Sequence, residues 1–248
     1  VTAIDGDVIL YTPIERENLI NILAKRFEDR AWQREFNQFG DLARQLESYG
    51  ILASLLNKDK SRAVRQMAMD MIDSAEVEEL FPDLQRIALD KEETPSLRLK
   101  VIKILVTRAP DLYAKKLLPL LELSPEEDPS DEIAGIVLYY LYPEYLTTDQ
   151  ILVAIRSPHY DSMFSSYMRF WNELFIQRIP DSPDDRKVAL DYFSKILVDG
   201  KSQRRHLADI NGLIAKAFEK LIIKELGVSP CNLNRLGSWL VKWSSFEN

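Results

Sequence analysis

Apolar residues recur every three or four positions along almost the whole chain, which is the period of an α-helix with a buried face. Leu19, Ile22, Leu23 and Phe27 share one such face. The pattern predicts about 11 or 12 helices of roughly 12–18 residues, joined by short turns. Prolines mark most of the breaks, where helices should begin or end. These breaks fall at Pro95, Pro110, Pro129, Pro143, Pro158, Pro183 and Pro230. Only residues 8–12 read as a short strand, which Pro13 ends.

The predicted helices repeat along the chain. Residues 58–68 align with residues 92–101, so that Arg65 stands 33 positions before Arg98. A third copy begins at Asp128 and has Glu132 where the arginine would stand. Residues 146–179 form a degenerate fourth copy. A period that holds two helices and two turns is typical of stacked repeat proteins.

The helix predicted over residues 96–108 shows how such repeats would pack. Its two apolar triplets are Val101, Ile104, Leu105 and Leu99, Ile102, Val106. Together they cover an arc of roughly 220°, interrupted only by Arg98. A helix needs so wide an arc when it contacts its hairpin partner and both neighbouring hairpins. We therefore expect an all-α fold, a stacked α-solenoid, in which all six apolar residues are largely buried.

Three of these units resemble HEAT repeats, the helical hairpins of armadillo-like proteins. The resemblance lies in a proline in the first helix, an Asp-Pro turn and a Val-Arg pair in the second helix, matched by Val64 and Arg65. It implies a right-handed α-solenoid. Residues 1–41 would form an N-terminal helical cap, residues 42–180 the HEAT-like repeats, and residues 181–248 further hairpins that continue the array.

A second resemblance covers residues 131–152 together with Tyr167-Met-Arg-Phe-Trp171. These segments are similar to the helical-repeat region that follows the NTPase module in bacterial NACHT/STAND proteins. The resemblance implies a sensor or scaffold that binds a protein or another domain of the same polypeptide, in bacterial signalling or defence. The beginning at Val1 and the end at Asn248 fit a segment cut from a longer protein.

Composition narrows the classes of partner. The chain has 32 basic and 39 acidic side chains and a net charge of −7, which repels nucleic acid. The one cysteine, Cys231, cannot form an internal disulfide and fits the reducing cytoplasm. No apolar stretch is long enough to predict a membrane span. Only 8 glycines argue against glycine-rich phosphate loops.

The motifs that resemble catalytic or metal sites fail on spacing. Gly200-Lys201-Ser202 resembles the end of a phosphate-binding loop, but Lys195 stands where that loop needs a glycine. The two histidines, His159 and His206, have no clustered partners with the spacing of a zinc site. We therefore predict no catalytic, cofactor-binding or metal-binding residues, and no enzyme activity in this chain.

Charged runs give the main alternative. The acidic runs are Glu76, Glu78, Glu79 and Glu126, Glu127, Asp128; the basic ones are Lys201, Arg204, Arg205 and Lys100, Lys103, Arg108. Such runs are usually solvated helix faces or favourable helix ends. A continuous basic groove with a buried carboxylate would instead favour a HEAT-like enzyme such as a DNA glycosylase, or a nucleic-acid-binding module.

Aromatic residues concentrate between positions 139 and 171 and again near the C-terminus. At helical spacing they form a core, but tyrosine and tryptophan are also frequent in protein interfaces. The candidate partner-binding residues are Tyr160, Tyr167, Trp171, Trp239 and Trp243. In the helix predicted over residues 232–246, we expect Trp239, Val241 and Trp243 to contribute to an exposed apolar patch.

Overall fold

The computed structural model describes residues 11–28, 40–156, 158, 165–199, 208–227 and 236–241. The α-helices of this part are α1 (Pro13–Glu28), α2 (Gly40–Arg44), α3 (Gly50–Leu55), α4 (Arg62–Ala75), α5 (Phe81–Leu89), α6 (Pro95–Arg108), α7 (Pro110–Leu117), α8 (Glu132–Leu141), α9 (Thr148–Leu152), α10 (Ser166–Arg169), α11 (Phe175–Arg178), α12 (Pro183–Asp199) and α13 (Ala208–Leu226). Residues 236–241 are also helical, and the described residues contain no strand. The all-α class is therefore confirmed.

Prolines begin helices as predicted. Pro95, Pro110 and Pro183 are the first residues of α6, α7 and α12, a position where the missing N–H of proline costs no hydrogen bond. Pro129, Pro143 and Pro158 lie between helices, whereas Pro230 lies outside the described residues. The predicted strand lies mostly outside them too, and its last two residues, Tyr11 and Thr12, are not in a strand.

The chain divides into two units by spatial contact, Val1–Ala109 and Pro110–Asn248. In the first unit α4 packs against α1, α2, α3 and α6, and α5 packs against α6. The two helices that carry the aligned sequence copies, α4 and α6, are therefore neighbours in space. This neighbourhood is the packing that adjacent repeat hairpins require.

The second unit is built from α7 to α13. Helix α8 packs against α10 and against the 3₁₀ turn Leu118–Glu122, and α12 packs against α9 and α13. A π-helical segment, Phe170–Leu174, joins α10 to α11 and also contacts α13. Single π turns inside α-helices shift the register of the side chains that follow.

The packing predicted for α6 is confirmed for five of its six apolar residues. Those five are buried, and Leu99 is half-buried. On the remaining stripe Lys103 and Thr107 are exposed. The helix therefore buries one apolar triplet completely and two of the three residues of the other.

The same arginine position is buried in three helices. Arg65, Arg98 and Arg186 are each the fourth residue of their helix, α4, α6 and α12, and all three are buried. The Nε of Arg65 donates to the carbonyl of Leu56, and that of Arg98 donates to Ala88, both at 3.0 Å. These carbonyls lie at the C-terminal ends of α3 and α5, where the helix dipole favours a cation.

Arg186 has the same place in its helix but a different acceptor. Its Nε donates to the carboxylate of Glu225 on α13 at 2.9 Å. The sequence copies aligned above do not include this third arginine. Pro183-Asp-Asp-Arg186 nevertheless has the same spacing between proline and arginine as Pro95-Ser-Leu-Arg98. The buried arginine therefore recurs in both units.

The third sequence copy departs from this arrangement because its helix begins three residues later. The buried carboxylate of Asp128 accepts hydrogen bonds from the backbone amides of Ile133 and Ala134, with N···O distances of 3.2 and 3.0 Å. Asp131 has a left-handed backbone with φ of 58°. As a result Glu132 is the first residue of α8, and it accepts hydrogen bonds from the amide and hydroxyl of Ser166 at 3.0 and 2.5 Å.

Helix α8 also approaches α10 closely through Gly135. A Cβ at this position would lie 2.2 Å from the amide nitrogen of Tyr167 and 2.4 Å from the carbonyl carbon of Ser166. Both neighbours are backbone atoms, so no side chain could move to make room. The contact between α8 and α10 therefore requires glycine.

Candidate functional site

The aromatic residues between positions 139 and 171 divide into a buried and a half-exposed set. Tyr142, Tyr167, Phe170 and Trp171 are buried. Tyr139, Tyr140 and Tyr145 are half-exposed, while Tyr160 and Phe164 lie outside the described residues. The two interpretations of this segment, a core and a partner surface, thus apply to different residues.

The buried set forms an aromatic core with rings from α11 and α12. Ring centroids lie 5.9 Å apart for Tyr142 and Phe170, 5.2 Å for Trp171 and Phe175, and 5.9 Å for Phe175 and Phe193. These are the distances at which tilted and edge-to-face aromatic pairs stabilise a core. Burial raises the pKa of Tyr142 to about 12, so this tyrosine stays protonated.

Three of the predicted partner-binding residues are corrected by the structure, because their side chains lie in the interior. Tyr167, Trp171 and Trp239 are each 2% exposed or less. The indole of Trp239 donates to the carboxylate of Asp191 at 2.9 Å, which fixes it against α12. Tyr160 and Trp243 lie outside the described residues.

Of the predicted C-terminal apolar patch, Val241 is exposed as expected, whereas Trp239 is buried. Leu240 is 42% exposed and Val241 is 68% exposed. The short helix over residues 236–241 thus docks through Leu236 and Trp239 and leaves the next two apolar side chains in solvent. Apolar side chains of this kind are frequent at contact surfaces.

Two of the half-exposed tyrosines, Tyr139 and Tyr140, line a cleft of 430 Å³ in the second unit. The lining residues are Tyr139, Tyr140, Tyr142, Pro143, Glu144 and Arg178. Five of them come from the last turn of α8 and the loop that follows it, and the sixth is the last residue of α11. The chain leaves α8 at Tyr142 in an extended conformation, and the peptide bond between Tyr142 and Pro143 is cis.

Arg178 is held at one side of this tyrosine cleft by the C-terminal end of α8. Its Nη1 donates to the carbonyls of Tyr139 and, at 3.4 Å, of Tyr142. The guanidinium carbon also lies 4.4 Å from the ring centroid of Tyr139. A cation at a helix C-terminus and over an aromatic ring is stabilised twice, by the dipole and by the ring.

The rest of the tyrosine cleft offers an aromatic corner and a carboxylate. The rings of Tyr139 and Tyr140 meet edge to face, with centroids 5.0 Å apart and planes at 74°. Glu144 is exposed, and among the described residues its carboxylate has no hydrogen-bond or ion-pair partner. Aromatic rings beside a carboxylate are suited to binding a peptide or a cationic group.

A second cleft, of 380 Å³, lies in the first unit and is lined mainly by charged residues. Its charged side chains are all paired, with one another or, for Arg86, with Asp83. Arg65 forms an ion pair with Glu93, and Lys58 lies 2.7 Å from Asp90. Burial opposes ionisation of Glu93, but hydrogen bonds from Arg65 and from the amide of Thr94 outweigh it and lower its pKa. These pairs join the loops of successive hairpins and leave little unmatched charge for a ligand.

Two of the three basic residues predicted as a stripe on α6, Lys100 and Arg108, are paired with acidic residues of α4 or of its C-terminal cap. The third, Lys103, is exposed and forms no ion pair among the described residues. Lys100 pairs with Asp70 at 2.5 Å, and Arg108 lies 2.7 Å from Asp73 and 2.5 Å from Glu76. Burial raises the pKa of Asp70, despite the hydrogen bond from Lys100. A stripe neutralised in this way attracts a phosphate backbone far less than free lysines would.

Most residues of the remaining candidate motifs are not among those that the structure describes. Gly200, Lys201, Ser202, Arg204, Arg205, His159 and His206 lie outside the described residues. Of the acidic runs, Asp128 is the buried cap of α8 and Glu76 ends α4 in a left-handed conformation.

Across the ranges that the structure covers, no three His, Cys, Asp or Glu side chains are placed to hold a metal ion. None of the helices in those ranges is both long and apolar enough to cross a bilayer.

Comparison with models of known protein families, with curated proteins and with solved structures found no match to this chain. What the described residues establish is an all-α protein whose second unit holds a tyrosine-lined cleft. The sequence identified the aromatic segment, but two of the candidates chosen from it, Tyr167 and Trp171, are buried. The signal it lacked was the end of α8, which separates Tyr139 and Tyr140 from the rings that enter the core.

Proposed function

We propose that this chain is a non-catalytic helical-repeat region that binds a protein or another domain of the same polypeptide. The tyrosine cleft is the observation that carries the proposal. Tyrosines are enriched at protein interfaces because they offer large contact area at low entropic cost. Tyr139 and Tyr140 present such rings to solvent beside the exposed Glu144.

The wider context of the proposal comes from the sequence resemblances. On the first resemblance, we propose that the hairpins form a right-handed solenoid of HEAT-like repeats. On the second, we propose that the chain is the sensor or scaffold region of a bacterial STAND-type NTPase in the cytoplasm. The neighbouring placement of α4 and α6 supports the repeat. The matched charges on Lys100 and Arg108 weigh against the alternative, a DNA glycosylase or other nucleic-acid-binding protein.

Site-specific photocrosslinking tests the proposed binding. A photoreactive phenylalanine analogue replaces Tyr140 in the protein expressed at its natural length in its own cells. The matched control carries the same analogue at Ile22, an exposed apolar position of α1 in the first unit. We expect a discrete crosslinked species from position 140 and none from position 22. Equal yields at the two positions, or no product from position 140, would contradict the proposal.

An assay of the purified chain tests the non-catalytic part. We expect no nucleotide hydrolysis and no stoichiometric zinc, since the residue spacings supply neither a phosphate cradle nor a ligand cluster. ATP turnover that disappears in the Lys201→Ala variant would overturn this expectation.

A further inference from the structure

We propose that the tyrosine cleft accepts an arginine side chain presented by the partner protein. The inference rests on the proposed function and names the chemical group that the cleft recognises. Three properties of the lining residues support it: the charge at the end of α8, the aromatic corner, and the carboxylate of Glu144.

The first property is the balance of charge around the cleft. The guanidinium of Arg178 faces the negative C-terminal end of α8 and bonds the carbonyls of Tyr139 and Tyr142. Its charge is therefore already offset. The carboxylate of Glu144 faces solvent and is paired with no cation among the described residues. An incoming cation would gain from Glu144, whereas an incoming anion would meet Glu144 and a chain whose net charge is −7.

The second property is the geometry of the rings. Arg178 shows that a guanidinium fits against a tyrosine here, at 4.4 Å from the ring centroid of Tyr139. The planes of Tyr139 and Tyr140 lie at 74° to each other, so the two rings are not stacked face on face. A second guanidinium can stack on Tyr140 in the same way. Arginine is favoured over lysine, because its planar group both stacks on a ring and pairs with a carboxylate.

The third property is size. A cleft of 430 Å³ is within the range of sites that take small ligands. It admits one long side chain and has room for the backbone beside it. A single projecting arginine of a partner protein is therefore the occupant to which these observations lead.

NMR titration of the chain labelled with ¹³C in its tyrosine rings tests the inference. The probe is acetyl-Gly-Arg-Gly-amide, and its control is the citrulline peptide, which has the same shape without the charge. We expect the arginine peptide to shift the Tyr139 and Tyr140 signals and to bind at least about 3-fold more tightly than the citrulline peptide. A third peptide, acetyl-Gly-Lys-Gly-amide, keeps the charge without the planar group. Equal binding of the arginine and citrulline peptides, or tighter binding of this lysine peptide than of the arginine peptide, would overturn the inference.

Matched variants assign the effect to the cleft. Glu144→Gln and Tyr140→Ala should each weaken binding of the arginine peptide by about 3–5-fold, as exposed ion pairs and cation–π contacts do. Glu219→Gln makes the same charge change at an exposed position on α13 and should leave binding unchanged. An equal loss from Glu144→Gln and Glu219→Gln would reduce the effect to net charge and overturn the proposed site.

The outcomes separate this inference from the proposed function. A crosslinked partner at position 140 without arginine binding would leave the proposed function standing and refute the inference. Arginine binding that requires Glu144, without a crosslinked partner in cells, would support the inference and contradict the proposed function.

Discussion

In the first unit, helices α4 and α6 repeat one design, whereas in the second unit the same sequence pattern is modified at α8. Arg65 and Arg98 lie buried at equivalent positions, and each donates a hydrogen bond to a backbone carbonyl at the C-terminal end of a helix, α3 for Arg65 and α5 for Arg98. In the third copy the carboxylate of Glu132 instead accepts two hydrogen bonds from Ser166, the first residue of α10. The replacement of a donor by an acceptor thus changes which end of a neighbouring helix is bound.

The two units also differ in their cores. The core helices of the first unit carry aliphatic residues and methionine, such as Met67, Met71 and Ile104. The second unit has an aromatic core around Tyr142, Trp171 and Phe175, a π-helical segment and the tyrosine cleft. Departure from the repeat therefore coincides with the candidate binding site, which is where local rules are expected to be broken.

The largest effect is expected from breaking the buried ion pair of the first unit. Arg65→Met leaves the buried carboxylate of Glu93 without its cation, and should lower the free energy of unfolding by about 3–5 kcal/mol. Amide hydrogen exchange in α4 and α6 measures the loss in this unit. The double variant Arg65→Met/Glu93→Met should recover most of it. A loss below about 1 kcal/mol in the single variant would show that the pair is not structural.

A backbone contact should be the most sensitive point of the second unit. Gly135→Ala forces α8 away from α10, and we expect a cost of about 3 kcal/mol with faster hydrogen exchange in both helices. The matched control is Gly237→Ala, where a Cβ meets nothing within 4 Å. It should be neutral or stabilise by up to about 1 kcal/mol. Similar results for the two variants would rule out the close contact.

Restoring the arginine in the third copy tests whether the units are equivalent at that position. Glu132→Arg should destabilise the second unit by about 2 kcal/mol, because Ser166 loses its acceptor and a cation is placed at a helix N-terminus. Glu132→Gln keeps one acceptor oxygen and should cost about 1 kcal/mol. Chemical denaturation followed by tryptophan fluorescence measures both. An unchanged or higher stability of Glu132→Arg would mean that the copies are interchangeable.

The smallest effect concerns two buried carboxyls with opposite shifts. Burial raises the pKa of Asp128 above its ordinary 3.8, despite the amides of Ala134 and Ile133, whereas hydrogen bonds hold the pKa of Glu93 below its ordinary 4.5. Glu93 therefore stabilises the fold above pH 4.5, and this contribution disappears as the pH falls through its folded pKa. The cost of the Asp128 charge is absent below 3.8 and appears as the pH rises through its folded pKa.

A carboxyl-carbon NMR titration measures both groups in one experiment. The midpoint of Asp128 should lie above 3.8 and that of Glu93 below 4.5. A midpoint of Asp128 below 3.8, or of Glu93 above 4.5, would contradict the balance of burial and hydrogen bonding given for that carboxyl.

The helical class, the proline breaks and the burial of α6 could all be predicted from the sequence. They depend on local periodicity and on the missing amide of proline, which act within one helix and need no knowledge of its neighbours. The burial of Val101 and Ile104 followed from the width of the apolar arc alone. The equivalence of Arg65 and Arg98 followed from their 33-residue spacing.

The candidate site depended on tertiary structure. Tyr139 and Tyr142 are both tyrosines at the end of α8, and both border the cleft. The ring of Tyr139 is half-exposed beside Arg178, whereas that of Tyr142 is buried against Phe170. Arg178 lies 39 residues after Tyr139, a separation that no local pattern can bridge. The side chain of Asp128 sets where α8 begins, and the place where α8 ends decides which tyrosines leave the core. Periodicity fixes that an aromatic residue is on a helix, but only the packing of helices fixes whether its ring is covered.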